Sequence, residues 1–423
     1  MLFIYSSLSV GGIETFFVRM AKERARQGLK TSILLLSEPK QSNLELLTEA
    51  RLYASVFFAK DIFLFKPTLS SRLSIIAPVN KNKLKSIMEG VDQIHSFDAM
   101  QLLLGERLAR LIDKKIPITV GFYHYIKYLW GGNKVALHER INRKFIFDYL
   151  PEQSLLFFSP GSRDLYEKNR NKSFKRANTF SLGVVDKKDV HLSSDISTPL
   201  KLVAIGRLVE FKTYNFYMIQ VIKNLVSKGY NIEFDIYGNG PLYDELKEKI
   251  LRLEVSNSIK LKGTLDYSKF DEVVSNSDMF IGDGTAIVQA AALGIPSIVG
   301  VQNFVEPKTY GYFCDVYMHQ YTRKGLDLPL FSVEKMIADY IDMPKELRVE
   351  LKTKHVNCIE QFTNESCQHS LDSLKSIEMP ACNFKYNRFI YLLSRTADRF
   401  NMKYNKKHPR RTQFEDFRAM NEK

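Results

Sequence analysis

Short apolar runs alternate with longer amphipathic segments through the second half of the chain, and glycines separate them. From this alternation we predict strands and then helices at 202–205, 232–237 and 258–261, and at about 213–228, 242–252 and 267–275. Strands that alternate with helices form a parallel sheet with helices on both faces. Because similar signals run from the start of the chain, the sequence predicts an α/β protein with two doubly wound, Rossmann-like parallel-sheet domains.

The segment Asp278–Gly300 contains the most compact of these units. It holds in order an apolar strand, a glycine turn, an Ala-rich helix and a further strand: Met279–Ile281, Gly282–Gly284, Thr285–Leu293 and Ser297–Val299. A helix that begins at the carboxyl end of a strand points free N–H groups beyond the sheet, which suits a phosphate. The alternative is a βαβ unit whose glycines only make a tight turn.

The first half of the chain starts with an apolar strand and a polar loop that ends in Gly11 and Gly12. An amphipathic helix follows at Glu14–Gln27, and glycine before it lets a ligand approach the backbone closely. A predicted strand at Ile116–Phe122 precedes His124, which therefore lies where α/β proteins bind ligands. The alternative for His124 is a partly buried structural histidine.

The polar segment Asn171–Pro199 lacks a long apolar period, and we predict that the chain crosses between domains there. The predicted organisation is an N-terminal domain at 1–185, a C-terminal domain at 186–375 and a basic extension at 376–423. Two such domains leave a cleft between the carboxyl edges of their sheets, where we expect the ligand.

Charge and cysteine content limit the partners and the compartment. The 423 residues include 61 Lys and Arg against 47 Asp and Glu, and the net charge of +14 suits anionic partners. The four cysteines lack metal-ligand spacing and indicate a reducing compartment. The first residues lack a basic region and a long apolar core, so we expect no signal peptide, and there is no run of about 18 apolar residues. We therefore expect a cytoplasmic protein.

The basic residues are concentrated toward the C-terminus. Residues 381–423 carry 11 Lys and Arg against 4 Asp and Glu, and the stretch 125–149 mixes cations with aromatic residues. Both predict peripheral binding to anionic lipid, on the inner face of the cytoplasmic membrane. The alternative is that four apolar residues dock on the N-terminal domain while the cations stay solvated: Phe389, Ile390, Leu392 and Leu393.

The segment GRLVEFK, residues 206–212, follows the first strand of the second domain. Arg207 and Lys212 flank a turn into a helix, where two cations can clamp a pyrophosphate, Arg as a planar fork and Lys as a point charge. Cations already in place stabilise the negative charge that develops on a leaving diphosphate. The alternative is a pair of solvated surface cations.

Four segments in order resemble the large retaining family 4 of GT-B-fold glycosyltransferases: GGIETFFVRMAKERARQGLK, GRLVEFK, IYGNGPLYDELKEKI with IKLKGTL, and GDGTAIVQAAALGIPSIV. With the pattern between them they cover most of residues 1–375. The resemblance implies that Arg207 and Lys212 grip the donor diphosphate and that His124 reaches the donor sugar. It also implies a donor-binding group made of Gly11, Gly12, Gly238, Gly240, Thr264, Asp283, Gly284, Thr285 and Gln289.

The sequence departs from the family at two acidic positions. The family has two glutamates eight residues apart, and this chain has Ile281 and Gln289 in their places. Ile281 cannot replace a carboxylate that contacts the sugar, although Asp283 could partly substitute for it. Gln289 keeps hydrogen-bonding capacity through its amide.

The resemblance implies a hexosyltransferase that uses a UDP- or GDP-linked sugar and acts with retention on a surface-glycan or lipid-linked acceptor, such as capsule or lipopolysaccharide. The donor phosphate would help to deprotonate the acceptor, so we expect no metal and no cofactor. The alternatives are a sugar-nucleotide epimerase and a non-catalytic GT-B partner subunit of a glycan-assembly complex. No nucleic-acid recognition motif accompanies the charge, so we expect no nucleic-acid binding.

Overall fold

The computed structural model of the protein describes residues 1–9, 12–64, 71–124, 126–132, 134–190 and 192–412. The chain divides into two compact units: unit 1 is Met1–Gly183 with Asn364–Lys423, and unit 2 is Val184–Thr363. The first boundary lies within two residues of the predicted one. Residues 364–375, which the sequence analysis assigned to the second domain, belong instead to unit 1, as does the basic extension.

Unit 1 is built on a seven-stranded parallel sheet in the order β3-β2-β1-β4-β5-β6-β7. Its strands are β1 Leu2–Tyr5, β2 Ser32–Leu35, β3 Ser55–Phe58, β4 Ile94–Ser96, β5 Ile118–Gly121, β6 Leu155–Phe157 and β7 Asn178–Thr179. The central strands are buried on both faces, because helices cover the sheet from each side. Strand β1 pairs Phe3 with Ile33 on one side and with His95 on the other.

Seven helices connect these strands: α1 Gly12–Arg26, α2 Leu44–Tyr53, α3 Ala59–Ile62, α4 Lys81–Ile87, α5 Ala99–Leu111, α6 Leu137–Lys144 and α7 Pro160–Arg170. Polar caps define several of their starts. Asp98 accepts a hydrogen bond from the Met100 amide at the start of α5, and Ser159 caps α7, which has Pro160 in its first turn.

Unit 2 contains the second predicted sheet, which is parallel and ordered β10-β9-β8-β11-β12. Its strands are β8 Leu200–Ile205, β9 Ile232–Tyr237, β10 Ile259–Gly263, β11 Met279–Gly282 and β12 Ser297–Val299. A short antiparallel pair follows, β13 Lys308–Thr309 and β14 Phe331–Ser332. The helices are α8 Tyr214–Ser227, α9 Tyr243–Arg252, α10 Phe270–Ser275, α11 Gly284–Ala292, α12 Phe313–Val316, α13 Val333–Ile341 and α14 Lys345–Cys358. The predicted strands and helices of this domain are therefore present, with shifts of only a few residues at their ends.

The chain then returns to unit 1 as α15 Asn364–Asp372 and α16 Arg388–Tyr404. Helix α15 packs on α1, where the buried Arg24 side chain forms an ion pair with Asp372. This contact explains why residues 364–375 belong to unit 1. Helix α16 packs beside α6 through Tyr391, which is fully buried and donates a hydrogen bond to the Asn142 side chain.

Of the stretch 125–149, Tyr125 and Asn133 lie outside the described residues, and most of the described aromatic side chains are buried. Trp130, Phe145 and Phe147 are buried, and the Arg143 guanidinium donates to the carbonyl oxygens of Trp130 and Gly132. The lipid-binding role suggested for this stretch is therefore not supported by its packing. Among the helices of the described residues, none has both the length and the apolar character required to cross a lipid bilayer.

Candidate functional site

The carboxyl edge of the unit 2 sheet brings together most of the residues predicted to bind the donor. Arg207 follows β8, Gly238 and Gly240 follow β9, and Asp283 follows β11. The exposed Thr264 follows β10, which lies three strands from β11, or about 14 Å at the usual strand spacing. A ligand at this edge would be in the position typical of open α/β sheets.

A buried ion pair fixes one of the two predicted cations. Lys212 Nζ lies 2.6 Å from Asp283 Oδ1, and the Asp283 side chain is only 2% exposed. Lys212 reaches this position across Gly206, where a Cβ would lie 2.8 Å from Nζ. Arg207, in contrast, is exposed, and no ion pair is recorded for it within the described part of the chain.

Two further side chains hold the Asp283 carboxylate. Tyr214 donates to Oδ1 at 3.2 Å, and the Gln302 amide donates to Oδ2 at 2.8 Å. Burial, reinforced by Asp283, raises the pKa of Tyr214 well above its usual value, so its hydroxyl remains a donor. Because protein groups engage both oxygens, Asp283 orients Lys212 in this structure, and its predicted contact with the donor stays a prediction.

Helix α11 begins at this ion pair. Its first residue, Gly284, has a positive φ of 63°, and the N-cap Asp283 makes no side-chain capping hydrogen bond. Thr285 is exposed in the first turn. The helix therefore presents its N-terminal N–H groups and its positive dipole end beside Lys212.

The glycines after β9, which were predicted to bind the donor, also allow close packing between two loops. A Cβ on Gly238 would overlap the Gly206 carbonyl oxygen, and a Cβ on Gly240 would overlap the carbonyl oxygen of Leu208. The Leu208 amide donates to the Asn239 carbonyl at 3.0 Å across the same contact. These glycines thus let the loop after β9 support the loop that carries Arg207.

The two positions that depart from the family glutamates are both buried. Ile281 is 1% exposed within β11 and pairs with Ile298, so it belongs to the apolar core. Gln289 is 6% exposed on α11, more than one turn from the helix start. Its predicted contact with the donor ribose is not tested by this geometry.

The remaining predicted residues lie in unit 1. Gly12 is exposed at the start of α1, whereas Gly11 lies outside the described residues. His124 follows β5 and lines a pocket of about 260 Å³ at the carboxyl edge of the sheet. The His124 side chain is exposed at the pocket surface, and partial burial together with Lys127 lowers its pKa.

Charged residues that the sequence analysis did not select form the wall of this pocket. Asp98, two residues after β4 and at the start of α5, lies 3.4 Å from Lys127 Nζ and 3.8 Å from an Arg395 guanidinium nitrogen. Burial alone would raise the pKa of Asp98, but these two cations outweigh it and the pKa is lowered. Burial lowers the pKa of Lys127 to about 8, against the opposing effect of Asp98.

The position of Asp98, two residues after strand β4, was a usable sequence signal. Arg395 offered none, because it is almost 300 residues away in the chain and reaches the pocket only through the packing of α16. Within the described residues, no three His, Cys, Asp or Glu side chains form a group that could hold a metal ion.

Part of the chain is similar in sequence to known proteins. Residues 186–324 match the sequence model of the family described as glycosyl transferases group 1. Protein CapJ of Staphylococcus aureus is 33% identical over 112 residues, which are 25% of this chain and 28% of CapJ. The similarity therefore spans less than a third of that relative.

Solved glycosyltransferase structures share the whole two-domain fold at low identity. A glycosyltransferase from Rickettsia africae ESF-5 has a TM-score of 0.61 at 12% identity, covering 88% of this chain and 97% of the other. The lipopolysaccharide outer core galactosyltransferase WaaB has a TM-score of 0.56 at 13% identity, with 88% and 99% covered. A variant of S. aureus TarM, in complex with fondaparinux, α-GlcNAc-glycerol and UDP, has a TM-score of 0.54 at 11% identity, with 89% and 99% covered. The chain therefore has the GT-B fold of these glycosyltransferase structures, and its residues 186–324 are similar to the group 1 glycosyl transferases.

Proposed function

We propose that this chain transfers a hexosyl unit from a UDP- or GDP-linked sugar to a saccharide acceptor, with retention of configuration. The observation that carries the proposal is the Lys212–Asp283 ion pair at the start of α11, with Arg207 exposed at the end of β8. Two cations and a helix N-terminus at one sheet edge form a site suited to a diphosphate.

The reaction needs few protein groups. The bond between the sugar anomeric carbon and the diphosphate oxygen breaks, and a bond to the acceptor oxygen forms on the same face. The acceptor proton passes to an oxygen of the leaving diphosphate. Arg207 and Lys212 stabilise the charge that develops on that diphosphate, and His124 contacts the donor sugar. We propose that neither a metal ion nor a cofactor takes part.

We further propose that the acceptor is a surface glycan or a lipid-linked saccharide, as in lipopolysaccharide or capsule assembly. Support comes from one of the similar structures, a galactosyltransferase of the lipopolysaccharide outer core. On this proposal the protein works in the cytoplasm, at the inner face of the cytoplasmic membrane.

Calorimetric titration with UDP and with GDP tests the donor site. Arg207→Ala and Lys212→Ala should each weaken binding of the preferred nucleotide by ~1.5–3 kcal/mol, because each removes a hydrogen bond to a charged group. Lys223→Ala, which removes an exposed cation on α8, is the matched control and should leave the affinity unchanged. Unchanged affinity in both site variants, or no binding of either nucleotide, would refute the diphosphate site.

The second candidate function is a non-catalytic partner subunit, which the apolar Ile281 at a family glutamate position favours. Incubation of the wild-type protein with a panel of nucleotide sugars separates the two. Release of the nucleoside diphosphate supports transfer or hydrolysis, and an epimerised nucleotide sugar would indicate the epimerase. Nucleotide binding without any product would leave the partner subunit as the better description.

A further inference from the structure

Helix α16 exposes apolar side chains along one side. Phe389, Leu393, Phe400 and Tyr404, here called the apolar stripe, are 60–73% exposed. At about 100° per residue, the four positions fall within about 60° around the helix axis. The stripe thus runs along the full length of the helix, and Ile390 beside it is 48% exposed.

The opposite side of α16 is polar and is the side that packs on unit 1. Tyr391 donates to the Asn142 side chain at 2.8 Å, and the His138 amide donates to Ser394 Oγ at 3.0 Å. Asp398 Oδ1 lies 3.1 Å from His408 Nε2. The Tyr391 hydrogen bond is buried and the other two are partly buried. Together they fix the rotation of the helix, because breaking them would leave polar groups of the packed side unpaired. The apolar stripe therefore cannot turn inward without loss of this network.

Cations lie along one side of the apolar stripe and just beyond its C-terminal end. Arg399, Lys403, Lys406 and Lys407, here called the cationic rim, are exposed, and no ion pair is recorded for any of them within the described part of the chain. The one acidic residue of α16, Asp398, is 10% exposed and faces the inner side of the helix. An exposed apolar surface with a basic border is the pattern of a helix that lies in a membrane interface.

We propose that the apolar stripe and the cationic rim bind an anionic lipid surface. The cations would contact lipid phosphates, and the apolar side chains would enter the boundary between headgroups and acyl chains. A second copy of the chain fits less well, because it would bring two cationic rims together between molecules of charge +14. The inference deepens the membrane location of the proposed function, because it names the surface that binds lipid, and it requires neither donor binding nor catalysis.

On this proposal the two sides of α16 have different roles: the outer side binds lipid, and the inner side lines a pocket. Arg395, on the inner side, lines the pocket that contains His124 and pairs with Asp98. If the proposed function holds, the same helix would join the membrane surface to a pocket wall near a residue that contacts the donor sugar. A lipid-linked acceptor would then meet the protein at this side of unit 1.

Co-sedimentation of the full chain with vesicles tests the apolar part. We expect binding to phosphatidylglycerol/phosphatidylcholine vesicles at low salt, and at least about tenfold weaker binding to phosphatidylcholine alone. The double variant Leu393→Glu/Phe400→Glu should also bind at least about tenfold more weakly than wild type, because it places carboxylates in the stripe. Leu44→Glu/Leu52→Glu is the control, since both leucines are as exposed on α2 and lie outside the stripe.

A second pair of variants, one in the cationic rim and one control, tests the role of the cations. Lys403→Glu/Lys407→Glu should weaken binding to anionic vesicles, whereas Lys83→Glu/Lys85→Glu changes the net charge equally on exposed α4 residues and should have a much smaller effect. Equal losses in the two variants would mean that net charge alone attracts the protein, which would overturn the assignment to α16.

Three other outcomes would also overturn the proposal. The first is that the wild type does not bind anionic vesicles at low salt, and the second is that the stripe variant binds them as well as the wild type. The third is that the wild type forms a dimer and binds no vesicles, while the stripe variant is monomeric. Circular dichroism should show that the stripe variant keeps its helical content. Calorimetry with UDP separates this inference from the proposed function, since the stripe variants should keep the nucleotide affinity of wild type.

Discussion

A single buried carboxylate organises the cationic part of the candidate donor site. Asp283 holds Lys212 and is itself held by Tyr214 and Gln302, so the cation is already in position before any ligand arrives. A charge that needs no reorganisation during the reaction stabilises the transition state most efficiently. This arrangement gives Asp283 a positioning role for which the family pattern gave no indication.

Gln289 provides a test at the residue scale. Family members use the glutamate at this position to accept hydrogen bonds from the donor ribose, and an amide can still accept them. We expect Gln289→Ala to weaken nucleotide binding by ~1 kcal/mol, the net value of one hydrogen bond. Gln289→Glu should bind as well as wild type or slightly better, because a carboxylate accepts a stronger bond. Calorimetry on the three proteins measures both effects.

Equal nucleotide affinity in the three proteins would show that Gln289 has no part in binding. Ile281→Glu is not expected to rescue the lost family glutamate, because Ile281 belongs to the buried core of unit 2. A carboxylate there should lower the free energy of unfolding by on the order of 4 kcal/mol, the scale of a buried unpaired charge. A gain in nucleotide affinity without loss of stability would contradict this view of the site.

The residues that the sequence could identify are those whose signal is local. Arg207 and Asp283 directly follow apolar strands, and the strand–glycine–helix pattern is enough to place them at a sheet edge. Gln302 could not be linked to Asp283, because it comes 19 residues later and reaches the carboxylate only through the order of β11 and β12 in the sheet.

At the scale of elements, too, the sequence predicts what depends on neighbouring residues and misses what depends on contacts between distant segments. The strands of unit 2 follow from periodicity and were predicted to within a few residues. The orientation of α16 does not follow from periodicity. Of the four apolar residues that the alternative to lipid binding would dock, Phe389, Ile390 and Leu393 are exposed, and Tyr391 docks instead. The partners that decide this orientation, Asn142 and His138, are about 250 residues away in sequence.

The contact between the loops after β8 and β9 gives a prediction at the element scale. Gly238→Ala should destabilise unit 2 by about 1–3 kcal/mol and weaken UDP binding, because the new Cβ would overlap the Gly206 carbonyl oxygen beside Arg207. Gly229→Ala is the control, since Gly229 also has a positive φ but open space around its Cβ position. Urea unfolding and calorimetry measure the two effects.

The difference between the two variants separates overlap from backbone strain, because both positions have φ values that L residues rarely adopt. If Gly238→Ala costs no more stability than Gly229→Ala and keeps the wild-type affinity for UDP, the loop after β9 does not support the loop after β8 in the way we infer.

Buried neutral histidines link the stability of the whole molecule to pH. Burial lowers the pKa of His95 to about 3 and that of His138 to about 4 in unit 1, and it lowers the pKa of His355 in unit 2. The His355 ring accepts a hydrogen bond from the Ser297 amide through Nε2, which requires the neutral form. Both units therefore contain groups that resist protonation while folded.

These shifts predict that the free energy of unfolding begins to fall at a pH well above the range in which carboxylates titrate. Between pH 6.5 and about 4 the unfolded chain binds protons at these histidines and the folded chain does not, so stability is greatest above pH 6.5 and falls as the pH decreases. The expected loss is up to about 1.4 kcal/mol per pH unit for each histidine. Urea unfolding at several pH values, followed by tryptophan fluorescence, measures the loss for unit 1, because Trp130 is the only tryptophan of the chain.

The variant His95→Gln isolates one of these protons. The substitution lowers the free energy of unfolding at neutral pH, because His95 hydrogen-bonds Thr119 and Tyr123. It should also reduce the slope of the free energy of unfolding against pH by the equivalent of about one proton. His369→Gln, which removes an exposed histidine of the same unit, is the matched control. A His95→Gln protein that loses stability with the wild-type slope would mean that His95 does not stay neutral in the folded state. The acid sensitivity of unit 1 would then have to originate from other groups.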